Sequence, residues 1–245
     1  MKKISFAVLL ILMFSISIAV SAVQASSQTQ PKAIVISSLN KMIPMGYYAQ
    51  LTIHYLKHAG YNVTYLTDDS VTVSFLLNHL NDYNVVIWRT NTFTWAHEEY
   101  WYVGEKTNAV TEQKYASDFA AGLLNDHTGV IGFSTAFAFN HFSANTLSHV
   151  KLLVFISSDG NALAPQFVTA GVSSVIFCNG PISLQFGLLD DLTSQLTAYL
   201  SMGETVYSAV YDTVSPFSNN TPRDPLDTNY PPPFWFVGNG ALTIA

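Results

Sequence analysis

Cys178 is the only cysteine in 245 residues. An internal disulfide framework and a multi-cysteine metal site are therefore both out of reach, and the folded chain must be held by its core. Charge is also scarce. Asp, Glu, Lys and Arg make up 11% of the chain, with 10 basic against 16 acidic residues and a formal net charge of −6. No Lys/Arg run follows Lys2-Lys3, so the sequence carries no electrostatic footprint for nucleic acid and no such partner is expected. There is no internal repeat, and beyond the first 25 residues no apolar run is long enough to span a membrane. No metal or cofactor motif stands out. His54 and His58 sit one helical turn apart, but no Glu lies between them as in the zinc-protease helix, and "SSLNKMIPM" has no phosphate-binding pattern.

What is plentiful is apolar surface, at 49% of residues, enough for one sizeable core and one domain. Its first block is "MKKISFAVLLILMFSISIAVSAVQASSQTQ", with two lysines, an apolar run and then small residues. This predicts a signal peptide over residues 1–25, cleaved after Ala22 or Ala25, and a polar linker over 26–31. The folded part is then secreted or on the cell surface, and it meets a membrane only if the segment stays uncleaved. Asn-x-Thr sequons at Asn62 and Asn219 fit export, although Pro222 weakens the second.

From Lys32 the pattern is strand, helix, strand, helix, strand: "KAIVIS", "YYAQLTIHYLKHAG", "YNVTYLTDD", "VSFLLNHL" and "YNVVIWRTN". After an interruption at about 92–149 the alternation resumes with "KLLVFIS", "ALAPQFVTAG", "SSVIFC" and a long helix closed by Gly203. This order predicts an α/β fold in three layers, a mostly parallel sheet with helices on both faces, spanning 32–245 as one domain. The interruption is expected to hold a hairpin, a helix near Ser117–Leu124 and a strand near Val130, and to act as a rim or lid. The aromatics of the tail, Tyr230, Phe234, Trp235 and Phe236, are expected to pack back onto the domain. Ligands of an open α/β sheet bind beyond the carboxyl ends of its strands, here "WRTN" and "ISSDG", which are expected to be neighbours.

These segments, with "GEKT", "AGVSSVIFCNGPIS", "GETVYSAV" and "YPPPFWFVGNGALTI" in the same order, resemble the secreted caspase-like and gingipain-like cysteine peptidases related to CHAT domains. The resemblance covers about Lys32 to Ile244 and implies a caspase-like fold. It places Asn91 at the family's catalytic histidine and Ser158 at its cysteine, with Asp159 and Gly160 retained. A serine needs a positioned base more than a cysteine does, and asparagine cannot accept and return a proton. The two replacements imply a pseudopeptidase that keeps a cleft for a peptide or protein ligand. Arg89, Asp159, Gly160, Cys178, Asn179 and Gly180 are expected to line that cleft, and Glu105 either lines it or is structural. The competing expectation is an active hydrolase with a relocated site, using Ser158 with His97 as base, or Cys178. A third is a surface module that binds through Trp95, Tyr100, Trp101 and Tyr102; the alternative reading of those aromatics is core that covers the sheet edge.

Overall fold

The computed structural model describes residues 29–178, 186–215 and 234–245. The segment expected to be a signal peptide, Asn179, Gly180, Asn219 and Tyr230 lie outside them. In chain order the elements of the domain are β1 Lys32–Ser37, α1 Tyr47–His58, β2 Asn62–Thr67, α2 Val73–His79, β3 Val85–Arg89, β4 Thr92–Trp95 and β5 Glu98–Lys106. Then follow α3 Ala109–Lys114, α4 Ala116–Ala120, β6 Leu124–His127, β7 Val130–Ser134 and α5 Thr135–His141. The chain continues with β8 Leu152–Ile156, α6 Ala164–Thr169, β9 Ser174–Cys178, α7 Phe186–Ser201, α8 Val206–Val214 and β10 Phe234–Gly238.

The main sheet has the order β2-β1-β3-β8-β9-β10. Its pairs are parallel except β9 with β10. The fold is thus α/β around a mixed, mostly parallel sheet. Continuous apolar runs such as "AIVI", "VVIW" and "LLVFI" form the central strands because both faces are covered, which leaves no position to be polar. Ala33, Val35, Val85, Ile87, Val154 and Ile156 pack against Leu56 of α1, Leu192 and Leu196 of α7 and Ala209 of α8. Ile34, Ile36, Val86, Trp88, Leu153 and Phe155 face the opposite core with Leu76 of α2 and Phe167 of α6.

The segment expected to be a rim or lid is instead a wall of that second core. Strands β4-β5-β7-β6 form a separate antiparallel sheet, and its Trp101, Val103, Ile131 and Phe133 are buried with Trp88 and Phe155. The Trp88 and Phe133 rings stack at 5.7 Å. Strand alternation explains the division, since Tyr100 and Tyr102 turn to the other face and join Phe93 and Leu39 in a small cluster. The helix expected to reach Leu124 stops at Ala120 because Gly122 takes a left-handed conformation (φ 70°), the usual stop for a helix. The tail does more than pack back. Phe234 is buried and opposes Cys178, so the tail supplies the sixth strand.

From β1 the chain winds to β2 on one side and to β3 on the other, which makes the β1/β3 boundary the point of reversal. That crevice is occupied by the protein itself. Arg89, 2% exposed, sends Nε and Nη2 to the two carboxylate oxygens of Asp190 at 2.6 and 3.0 Å. Its Nη1 donates to the carbonyl of Ile43 at 2.8 Å, with the Ser37 hydroxyl 3.5 Å away.

Candidate active site

One strand further along, the ends of β3 and β8 converge. The Thr90 amide donates to the Ile156 carbonyl (2.9 Å), and its hydroxyl donates to the Tyr102 carbonyl (2.6 Å). The Asn91 carbonyl accepts from the Tyr102 amide (3.0 Å). Thr90 and Asn91 thus carry the chain from the main sheet into the small one. Beyond β8, Ser157 and Ser158 continue to Asp159, which adopts a left-handed conformation (φ 54°, ψ 31°). A 3₁₀ turn over Gly160–Ala162 then leads into α6. At Gly160 a Cβ would lie 3.0 Å from the Cys178 carbonyl oxygen and 3.2 Å from Phe177 Cβ. A side chain there would press the turn and β9 apart by a few tenths of an ångström, so glycine suits this close approach.

The Ser158 hydroxyl donates to Asn91 Oδ1 at 3.1 Å. A hydroxyl has one proton, so Thr92 Oγ1 is the donor in its 2.7 Å contact with Ser158 Oγ. Both partners are neutral groups that cannot hold a proton taken from serine. Among the described residues no histidine bonds to Ser158. His97, weighed from sequence as a base, is exposed in the two-residue turn between β4 and β5, five positions beyond Thr92. His54 and His58 are exposed on α1. Among the described residues no three His, Cys, Asp or Glu side chains are grouped to hold a metal.

Cys178 is a core residue. It is 1% exposed and packs with Ile176, Leu189 and Phe234. Burial pushes its thiol far above the ordinary cysteine range, against a smaller opposing pull from the Ser157 backbone amide. A thiol that does not ionise is neither nucleophile nor ligand. Arg89 and Glu105, expected at the cleft, are placed elsewhere. Arg89 fills the β1/β3 crevice as described. Glu105 Oε2 accepts from the Val73 amide at the start of α2 (2.9 Å) and from the Tyr115 hydroxyl (3.1 Å), a capping role. The structural alternative for Glu105 is the one realised. Trp101 is wholly buried, whereas Trp95 is 56% exposed near the hairpin tip.

Two groups at the site were not anticipated. One is Thr92. The other is Glu99 of β5, opposite Thr94 in the hairpin, whose carboxyl lies near enough to that of Asp159 to be affected by it. Burial, then the neighbouring Asp159, push the Glu99 carboxyl above the usual carboxylate range, because both disfavour its charged form. The hairpin register that brings Glu99 there depends on a turn in which Ala96 (φ 51°) and His97 (φ 70°) are both left-handed. Such turns normally announce themselves by Asn-Gly or Asp-Gly, and "WAHE" contains neither. No protein-family model matches the chain, and no curated protein gives a significant match.

Proposed function

We propose that this chain is an exported homologue of the caspase-like and gingipain-like peptidases that has lost peptidase chemistry and retains a cleft for a peptide or protein ligand. The observation that carries this reading is the bonding of Ser158. Its hydroxyl sits at the strand end where such a nucleophile is expected, yet its hydrogen-bond partners are an amide oxygen and another hydroxyl. Deprotonating a serine near neutral pH needs a base in contact with it. The buried Cys178 offers no substitute.

The test uses the purified protein and a mixed peptide library. Wild type is expected to capture peptides without cleaving them, and Ser158→Cys/Asn91→His to cleave the peptides it captures. Hydrolysis by wild type that disappears in Ser158→Ala would overturn the reading and make the chain a serine hydrolase.

A further inference from the structure

Strand β4 borders the candidate site and has a neighbour on one side only. The ladder with β5 determines which of its backbone groups are free. The Asn91 carbonyl accepts from the Tyr102 amide, and in an antiparallel pair the bonding alternates residue by residue. Asn91, Phe93 and Trp95 therefore direct their backbone groups toward β5, while Thr92 and Thr94 direct theirs to the open edge. Among the described residues no backbone partner meets those outward groups. Thr94 and Trp95 are exposed, and the strand has neither proline, lysine nor bulge to blunt its edge.

Between Arg89, which is paired with Asp190, and Lys106, which is paired with Asp69, the segments that build this edge carry acidic charge. Residues 90–105 and 157–163 contain no Lys or Arg. Glu98 and Glu99 lie in the hairpin, and Asp159 lies near enough to Glu99 to affect its carboxyl. The strand begins at Thr92, whose hydroxyl bonds to Ser158, so the edge is continuous with the cleft.

We propose that the open edge of β4 takes up an extended, net-positive polypeptide segment as an added strand, held by the outward backbone groups of Thr92 and Thr94 and by the acidic rim of Glu98, Glu99 and Asp159. In strand addition the main chain supplies affinity and alternate side chains supply selectivity. The proposal rests on the cleft reading above and specifies how the ligand docks.

The probes are a ten-residue peptide of alternating Thr and Val flanked by two lysines at each end, and its glutamate-flanked counterpart. Binding is followed by fluorescence anisotropy, with amide exchange of Thr92 and Thr94 read by NMR. The lysine-flanked peptide is expected to bind at least tenfold more tightly and to slow exchange at both amides. Thr94→Pro, which removes one outward N–H and leaves the ladder with β5 intact, is expected to weaken it at least tenfold, and Thr94→Val to bind as wild type does. Equal binding by Thr94→Pro with no slowed exchange overturns the edge proposal while leaving the cleft. Failure to bind either peptide when the mixed library is captured does the same. Failure to capture anything overturns both. Self-association abolished by Thr94→Pro would make the occupant a second copy of the chain and also overturn the proposal.

Discussion

Arg89 and Asp190 meet as a two-pronged ion pair, with contacts of 2.6 and 3.0 Å and side chains only 2% and 3% exposed. The arginine comes from the end of a central strand and the aspartate from the second turn of α7, so the pair ties helix to sheet. Burial pushes the Asp190 carboxyl up to about 6, more than the guanidinium pulls it down. Desolvation therefore outweighs attraction, and the pair fixes geometry more than it adds net stability.

Single substitutions at this pair should thus be far worse than a joint one. Asp190→Leu alone leaves the buried Arg89 guanidinium uncompensated, Arg89→Met alone leaves the buried Asp190 carboxyl without its donors, and each is expected to cost about 3–5 kcal/mol. The double variant should recover most of that loss, as a urea-unfolding double-mutant cycle would reveal. Losses that simply add would mean the two side chains act independently.

The same carboxyl sets a pH dependence. Its ordinary value is 3.8 and its folded value about 6. Between those limits the folded chain holds a proton that the unfolded chain has released. The contribution of this group to stability is full below about pH 4 and falls as pH rises through 6, by at most about 1.4 kcal/mol per pH unit. Glu99 is shifted in the same direction. Denaturant midpoints are expected to be at least as high at pH 5 as at pH 7, with a smaller difference in Asp190→Asn. A midpoint that drops on acidification to pH 5 would contradict this.

Cys178 provides a check on the site that avoids activity altogether. As the only cysteine, buried and held neutral by burial, it should not react with a thiol-specific disulfide reagent in the native protein and should react once per chain in guanidinium. Rapid modification of the native protein would reopen Cys178 as a nucleophile.

The layers of the fold were legible because runs such as "VVIW" and "LLVFI" leave no ambiguity about two-sided burial. Thr90 and Asn91 were legible as neighbours of Ser157 to Gly160 because strand ends in an open sheet share an edge, whereas Thr92 was not. Two further things were hidden, for different reasons. Glu99 depends on a hairpin register set by a turn without glycine, and the role of the tail depends on a pairing between residues 174 and 238, which no local pattern encodes. Arg89 misled for a third reason. A charged residue at a strand end reads as a ligand contact, and only the placement of Asp190, 101 residues later, turns it into a strut.

The sharing of one core by the two sheets has a kinetic consequence. Trp101 and Phe133 anchor the hairpin that bears Thr92 and Glu99 into the same apolar mass as Trp88 and Phe155. That wall cannot swing aside without exposing large aromatic rings to water, which is costly. A ligand of the proposed cleft would therefore meet a surface already set in its final shape, and its uptake should follow a single concentration-dependent phase with no slow closing step behind it.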